Sequence, residues 1–192
     1  MIYHPIELVT FLYLDDVQES YKQRDFLFQF ADVAQELGQM LGKLYTDKSI
    51  AQIWSNLVDS LENKRVFTSN DFLVVIQALD GFSIRFRKEQ AFLPQLTALR
   101  DEFNDIKKLS LSDEDLKAAR GSRDYYSHIL KLEKKKKRNA LEGWELFDLT
   151  KKLRVLLICC VLNFMGMKND KINQLLNKSN SDFLKIIQKR ES

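Results

Sequence analysis

Residues 120–128 read RGSRDYYSH and gather two guanidinium groups, a carboxylate, hydroxyls and an imidazole in one short stretch. On a helix turning about 100° per residue, with Arg120 at zero, Arg123 falls at about 300°, Asp124 at about 40°, Ser127 at about 340° and His128 at about 80°. Tyr125, Tyr126, Ile129 and Leu132 fall between about 120° and 240°, so a polar face stands opposite an apolar one. These residue types suit proton transfer at a phosphate. An imidazole takes and gives a proton near neutral pH. A guanidinium grips a phosphate in a planar fork. Asp124 lies four residues before His128 and can reach an imidazole nitrogen, which would fix the tautomer and favour the protonated ring. The same spacing also fits a solvated helix face with ordinary Arg–Asp pairs. Arg123 and His128 are five apart, about 140° on a regular helix. They meet at one phosphate only if the helix loosens, the long Arg curls over, or a second subunit contributes.

The elements that must position these groups are read from caps and periodicity. Ser112 can cap a helix, with Asp115 three residues on and an acidic first turn between them. After the motif, residues 131–138 read KLEKKKKR. This run is either a solvated helix end or a phosphate-attracting patch formed by Lys134, Lys135, Lys136, Lys137 and Arg138. A long helix then follows from Ala140 to Met167 through Trp144, Leu146, Phe147, Leu153, Leu156, Leu157 and Val161, and Gly166 ends it. Upstream, Phe26, Phe30, Val33, Leu37, Met40, Leu41 and Leu44 recur at three and four, predicting a helix from Val17 to Leu44. Ser49–Leu61 repeats the pattern with Ile50, Ile53, Trp54 and Leu57. Thr68–Asp71 caps a helix that runs to about Glu89, and Pro94 suits the first turn of the next. Asn169 and Ser181 are expected to cap two short final helices. Residues 1–14 are apolar and form a docked arm, a short strand or the remnant of something longer.

The composition agrees. The 192 residues include only 2 Pro and 6 Gly, but 13 Phe, and 45% are hydrophobic. Average usage would give about 10 Pro and 13 Gly. A sheet protein of this size needs many turns, and turns need those residues. The expected class is therefore all-α, a single domain over residues 1–192 with a core large enough to fold. The net charge of +3 does not by itself mark a nucleic-acid binder. Cys159 and Cys160 are adjacent in an apolar run, which suits buried thiols and a reducing compartment. No CxxC pair or His cluster offers a metal site. The start, MIYHPIELVTFLYLDD, has no basic leader and meets two aspartates early, unlike a signal peptide. The apolar stretch Leu153–Met167 is shorter than the roughly 20 residues of a membrane span and contains Arg154 and Asn163. A cytoplasmic protein without a membrane segment is expected.

Arg123-Asp-Tyr-Tyr-Ser-His128 resembles the signature of HEPN domains (higher eukaryote and prokaryote nucleotide-binding): an Arg, four to six residues, then a His, with a polar residue such as Asp124 after the Arg. The following lysine run and LEGWELFDLTKKLRVLLICCVLNFMGM resemble the Apea-like group of bacterial defence proteins. The resemblance covers about residues 72–178 and is strongest from 115 to 168. It implies a HEPN-type helical bundle over about 72–178, with additional N-terminal helices over about 15–70. It also implies a homodimer whose motif helices form one cleft, and a metal-independent endoribonuclease of an anti-phage or toxin system with no cofactor. Carried onto this chain, His128 is the general acid or base at the RNA 2′-hydroxyl or the leaving oxygen. Arg123 holds the scissile phosphate, and Asp124 orients or tunes the two. Arg120, Ser127 and Lys134–Arg138 are expected to contact flanking phosphates. Apea-like proteins generally carry a further N-terminal region, for which this chain has little room, so a missing region or a regulatory partner is a further expectation. The alternatives are a non-catalytic HEPN module that binds RNA, a nucleotide or a partner protein, and a plain helical interaction protein.

Overall fold

The computed structural model describes residues 30–61, 67–86, 91–127 and 140–179, and every regular element among them is helical. Helices α1 (Phe30–Val33) and α2 (Leu37–Thr46) lead through a 3-10 turn at Lys48–Ile50 into α3 (Ala51–Leu61). Then come α4 (Ser69–Phe86), α5 (Phe92–Glu102), α6 (Asp113–Tyr126), α7 (Gly143–Phe164) and α8 (Asn169–Lys178). The all-α class expected from the scarcity of Pro and Gly is the class observed.

Two helices form the centre. Every residue from Val155 to Leu162 of α7 is buried, so this part of the helix is apolar all round, as a fully enclosed helix must be. It packs against α3, α4, α5, α6 and α8. Its apolarity is thus that of a core helix, and among the described residues no helix is long and apolar enough to cross a membrane. Cys159 and Cys160 lie in this run as buried thiols. Burial pushes the Cys159 thiol up to about 12. The other central helix, α4, buries Phe72, Val75, Ile76, Leu79 and Phe82 and touches α3, α5, α6 and α7. Each such large side chain contributes about 1.5–3 kcal/mol when taken out of water.

Local chemistry sets the helix ends. At Thr68, the backbone N–H and the hydroxyl both donate to Asp71 Oδ2, at 2.7 and 2.9 Å, which starts α4 where the TSND sequence predicts. Pro94 sits in the first turn of α5, where its missing N–H costs nothing. Gly166 follows the end of α7 with φ 104°, a backbone state that other residues resist. The Lys43 ammonium of α2 donates to the Phe164 carbonyl at 3.2 Å, placing a cation at the negative end of α7.

Several sequence expectations are corrected. The helix expected over Val17–Leu44 is broken where the structure describes it: α1 ends at Val33, a turn occupies residues 34–36, and α2 starts at Leu37. Three-four spacing reports a shared buried face, here Val33, Met40 and Leu44, and two short helices can share one as well as a single long helix. Phe30 and Leu41, expected on that face, are exposed. The long C-terminal helix begins at Gly143, three residues later than expected, and Trp144 is exposed. Asn169 does not cap α8 but is its first residue. Its amide donates to the Glu102 carbonyl at 2.8 Å and so ties α8 to the end of α5. The expectations for residues 1–29 and for Ser181 lie outside the described residues.

Candidate functional site

The site is built on α6. Ser112 Oγ accepts from the Asp115 N–H at 3.1 Å, and Asp115 Oδ2 accepts from the Ser112 N–H at 2.9 Å, so both halves of the expected capping box form. Lys152 of α7 holds the same Asp115 carboxylate at 2.9 Å, and Arg100 of α5 pairs with Asp113. The first turn of α6 is thus fastened to two neighbours. Below it, Leu116, Ala119 and Ser122 are buried against the bundle.

Arg123 turns toward α4 and α5. Its Nη2 lies 2.9 Å from Asp80 Oδ2 of α4, and its guanidinium carbon lies 4.3 Å from the ring centre of Phe92 of α5. Its Nη1 stands 4.0 Å from Asp124 Oδ1, and Arg120 Nε stands 4.0 Å from Asp124 Oδ2. The four charges form a ladder in the order Arg120, Asp124, Arg123, Asp80. Exposure falls along it: the side chains of Arg120 and Asp124 are 59% and 41% exposed, those of Arg123 and Asp80 33% and 22%. Only one close contact, Arg123–Asp80, qualifies as a hydrogen bond. The structure therefore brings together Arg120, Arg123 and Asp124, and adds Asp80 and Phe92, which the sequence reading missed. A signal for Asp80 existed. It lies four residues after buried Ile76 and three before buried Ser83, and a carboxylate in such a stripe needs a cationic partner.

The helix expected to run through His128 ends at Tyr126. Ser127 is its exposed C-cap, and its N–H donates to the Arg123 carbonyl at 2.9 Å. The separation of about 140° between Arg123 and His128 assumed one continuous helix, and α6 does not impose it. His128 itself and Lys134, Lys135, Lys136, Lys137 and Arg138 lie outside the described residues.

Leu141 lies against the C-terminal half of α6. The Leu141 N–H donates to buried Ser122 Oγ at 3.0 Å, and the Tyr126 hydroxyl donates to the Leu141 carbonyl at 3.0 Å. Both backbone polar groups of Leu141 are thus satisfied by α6. The Tyr126 ring also meets Phe72 edge-on at 6.3 Å and Tyr125 at 4.9 Å. Burial raises the Tyr126 phenol above its ordinary value, which keeps it a neutral donor. Leu141 is accordingly held at the C-terminal end of α6, within one turn of Arg123.

Chemically, a cationic fork that is partly open to solvent and held by Asp80 and Phe92 can receive an anionic oxygen. Among the described residues no group of three or more His, Cys, Asp or Glu is placed to hold a metal ion.

Residues 80–171 match the family described as Apea-like HEPN, a span that runs from Asp80 through α6 and α7 into α8. No curated protein and no solved structure shows significant similarity to the chain.

Proposed function

The chain carries a HEPN domain of the Apea-like group at residues 80–171, and from that premise we propose that it is an endoribonuclease that cuts RNA through Arg123 and His128. The family points to a ribonuclease or a nucleotide-binding module. The observation that carries the ribonuclease reading is Arg123: its guanidinium is anchored by Asp80 yet partly exposed, five residues before His128 in sequence.

In the proposed reaction the RNA 2′-hydroxyl loses its proton to a base and its oxygen attacks the adjacent phosphorus. The bond from phosphorus to the 5′-oxygen breaks, and that oxygen takes up a proton. The products are a 2′,3′-cyclic phosphate and a 5′-hydroxyl. His128 serves as the general base or acid. Arg123 stabilises the charge that grows on the phosphoryl oxygens, and Asp124 orients the pair. Such a reaction needs no metal ion. The biological setting we propose is an anti-phage or toxin system in a bacterial cytoplasm. Incubation of the purified chain with total RNA in excess EDTA tests the reading. Fragments are expected, and intact RNA at every protein concentration would refute it.

We propose a homodimer that faces its two α6 helices across one cleft, so that two His128 side chains supply base and acid. Light scattering at micromolar concentration is expected to give twice the chain mass. A strictly monomeric mass with full cleavage would contradict it.

Arg120, Ser127 and the run Lys134–Arg138 are proposed to hold phosphates flanking the cut. The sequence supports this, since the run begins six residues after His128. Neutralising all five residues of the run should weaken RNA binding and flatten its salt dependence, by about 0.7 in log–log slope for each lost contact to a single strand. Unchanged binding would return the run to a solvated surface.

A non-catalytic module that binds RNA or a nucleotide is the second reading. It is favoured by the carboxylate already paired with Arg123, and RNA bound without cleavage would support it.

A further inference from the structure

We infer that Asp80 is a positioning residue that aims the Arg123 guanidinium, an inference that rests on the ribonuclease reading above. An arginine side chain has many rotamers, and its value at a scissile phosphate depends on where its fork points. Here three helices fix that direction. Asp80 comes from α4, a central helix of the bundle, directly after fully buried Leu79 and one turn beyond fully buried Ile76. Phe92, buried at the start of α5, supports the flat face of the guanidinium at 4.3 Å. Arg123 itself comes from α6.

The contact is end-on rather than a fork. One nitrogen, Nη2, meets one oxygen, Asp80 Oδ2, at 2.9 Å. Asp124 stands at 4.0 Å, beyond hydrogen-bond range. A guanidinium has five N–H donors, so most remain to face a phosphate. A partly exposed ion pair of this kind contributes little to stability, and a carboxylate beside a phosphate-binding group weakens electrostatic attraction for RNA. The pair therefore makes sense as orientation rather than as affinity or as a structural brace.

The test compares Asp80→Ala and Asp80→Asn with wild type in two readouts. The first is the Arg123 Nε–H signal and its order parameter by NMR, without RNA. It should report a restricted guanidinium in wild type, a mobile one in Asp80→Ala and an intermediate one in Asp80→Asn, whose amide oxygen still accepts. The second is single-turnover cleavage. Asp80→Ala should lower the maximal rate by about 100-fold, the scale of a misplaced reacting group, while RNA affinity holds or tightens. Asp80→Asn should recover most of the rate. Equal Arg123 mobility in all three proteins would overturn the inference. So would wild-type or faster cleavage by Asp80→Ala, or an equal loss of rate in both variants with a lowered melting temperature. If wild type itself cuts no RNA, the ribonuclease reading falls, and the Arg123 signal still decides whether Asp80 aims it.

Discussion

Replacing His128 with alanine lowers RNA cleavage by about 100-fold or more, the usual loss when a general acid–base group is removed. The expectation rests on what else the chain offers. It has two histidines, His4 and His128, so the variant keeps a single imidazole far from the motif in sequence. Carboxylates near the site are paired with cations: Asp80 with Arg123, and Asp115 with Lys152. The hydroxyl of Tyr126 is committed to the Leu141 carbonyl, and burial raises its proton affinity further. His128 follows directly on Ser127, the C-cap of α6, whose N–H is bonded to the Arg123 carbonyl. Rates are to be measured under single-turnover conditions, with a melting curve on the same sample. A wild-type rate in the alanine variant, with His4 also replaced, would remove His128 from the mechanism.

Arg123→Lys is expected to lower cleavage by about 100- to 1,000-fold, the scale of losing one donor that meets charge in a transition state. The substitution keeps the positive charge, so it separates geometry from electrostatics. Lysine presents a point charge on a flexible stem, without a planar fork. Its ammonium can still pair with Asp80, but it cannot lie flat on Phe92 while directing further N–H groups at a phosphate. The loss should therefore fall on the maximal rate, with RNA affinity and its salt dependence nearly unchanged. Arg123→Ala should lose at least as much and should also leave Asp80, itself partly buried, without its cation. Weak binding with an unaltered maximal rate in the lysine variant would make Arg123 a general phosphate contact rather than a group acting at the cut.

The parts of this fold that could be read in the sequence are those whose causes are local. The Ser112–Asp115 capping box and the Thr68–Asp71 contact join residues three apart, so the chemistry that starts α6 and α4 is written side by side. The unbroken apolar character around Val155–Leu162 marks a central helix because no other position can bury all its sides. The helical wheel put Arg120, Arg123 and Asp124 on one face, and the 4.0 Å approach of Arg120 to Asp124, four residues on, follows from that same periodicity. What escaped the sequence depends on folding distant segments together. Arg123 and Asp80 are separated by 43 positions, and only the packing of α6 on α4 makes them a pair. Phe92 looked like one more core aromatic until α5 laid it under the guanidinium. The backbone of Leu141 bonds to Ser122 and Tyr126, side chains whose partners no periodicity reveals. The end of α6 at Tyr126 escaped for a different reason. No Gly or Pro follows Tyr126 to announce the stop, and the motif reads as helical through His128.

The most direct test of metal-independent cleavage by His128 and Arg123 is the chemistry of the RNA ends. Purified chain is incubated with a defined single-stranded RNA in excess EDTA, and the fragments are analysed by mass spectrometry, with the His128→Ala variant run in parallel. The expected products of the wild-type protein are 2′,3′-cyclic phosphate and 5′-hydroxyl ends, which the variant forms at a rate lower by about 100-fold or more. Fragments bearing 5′-phosphates, cleavage that stops in EDTA, or equal cleavage by the variant would contradict it.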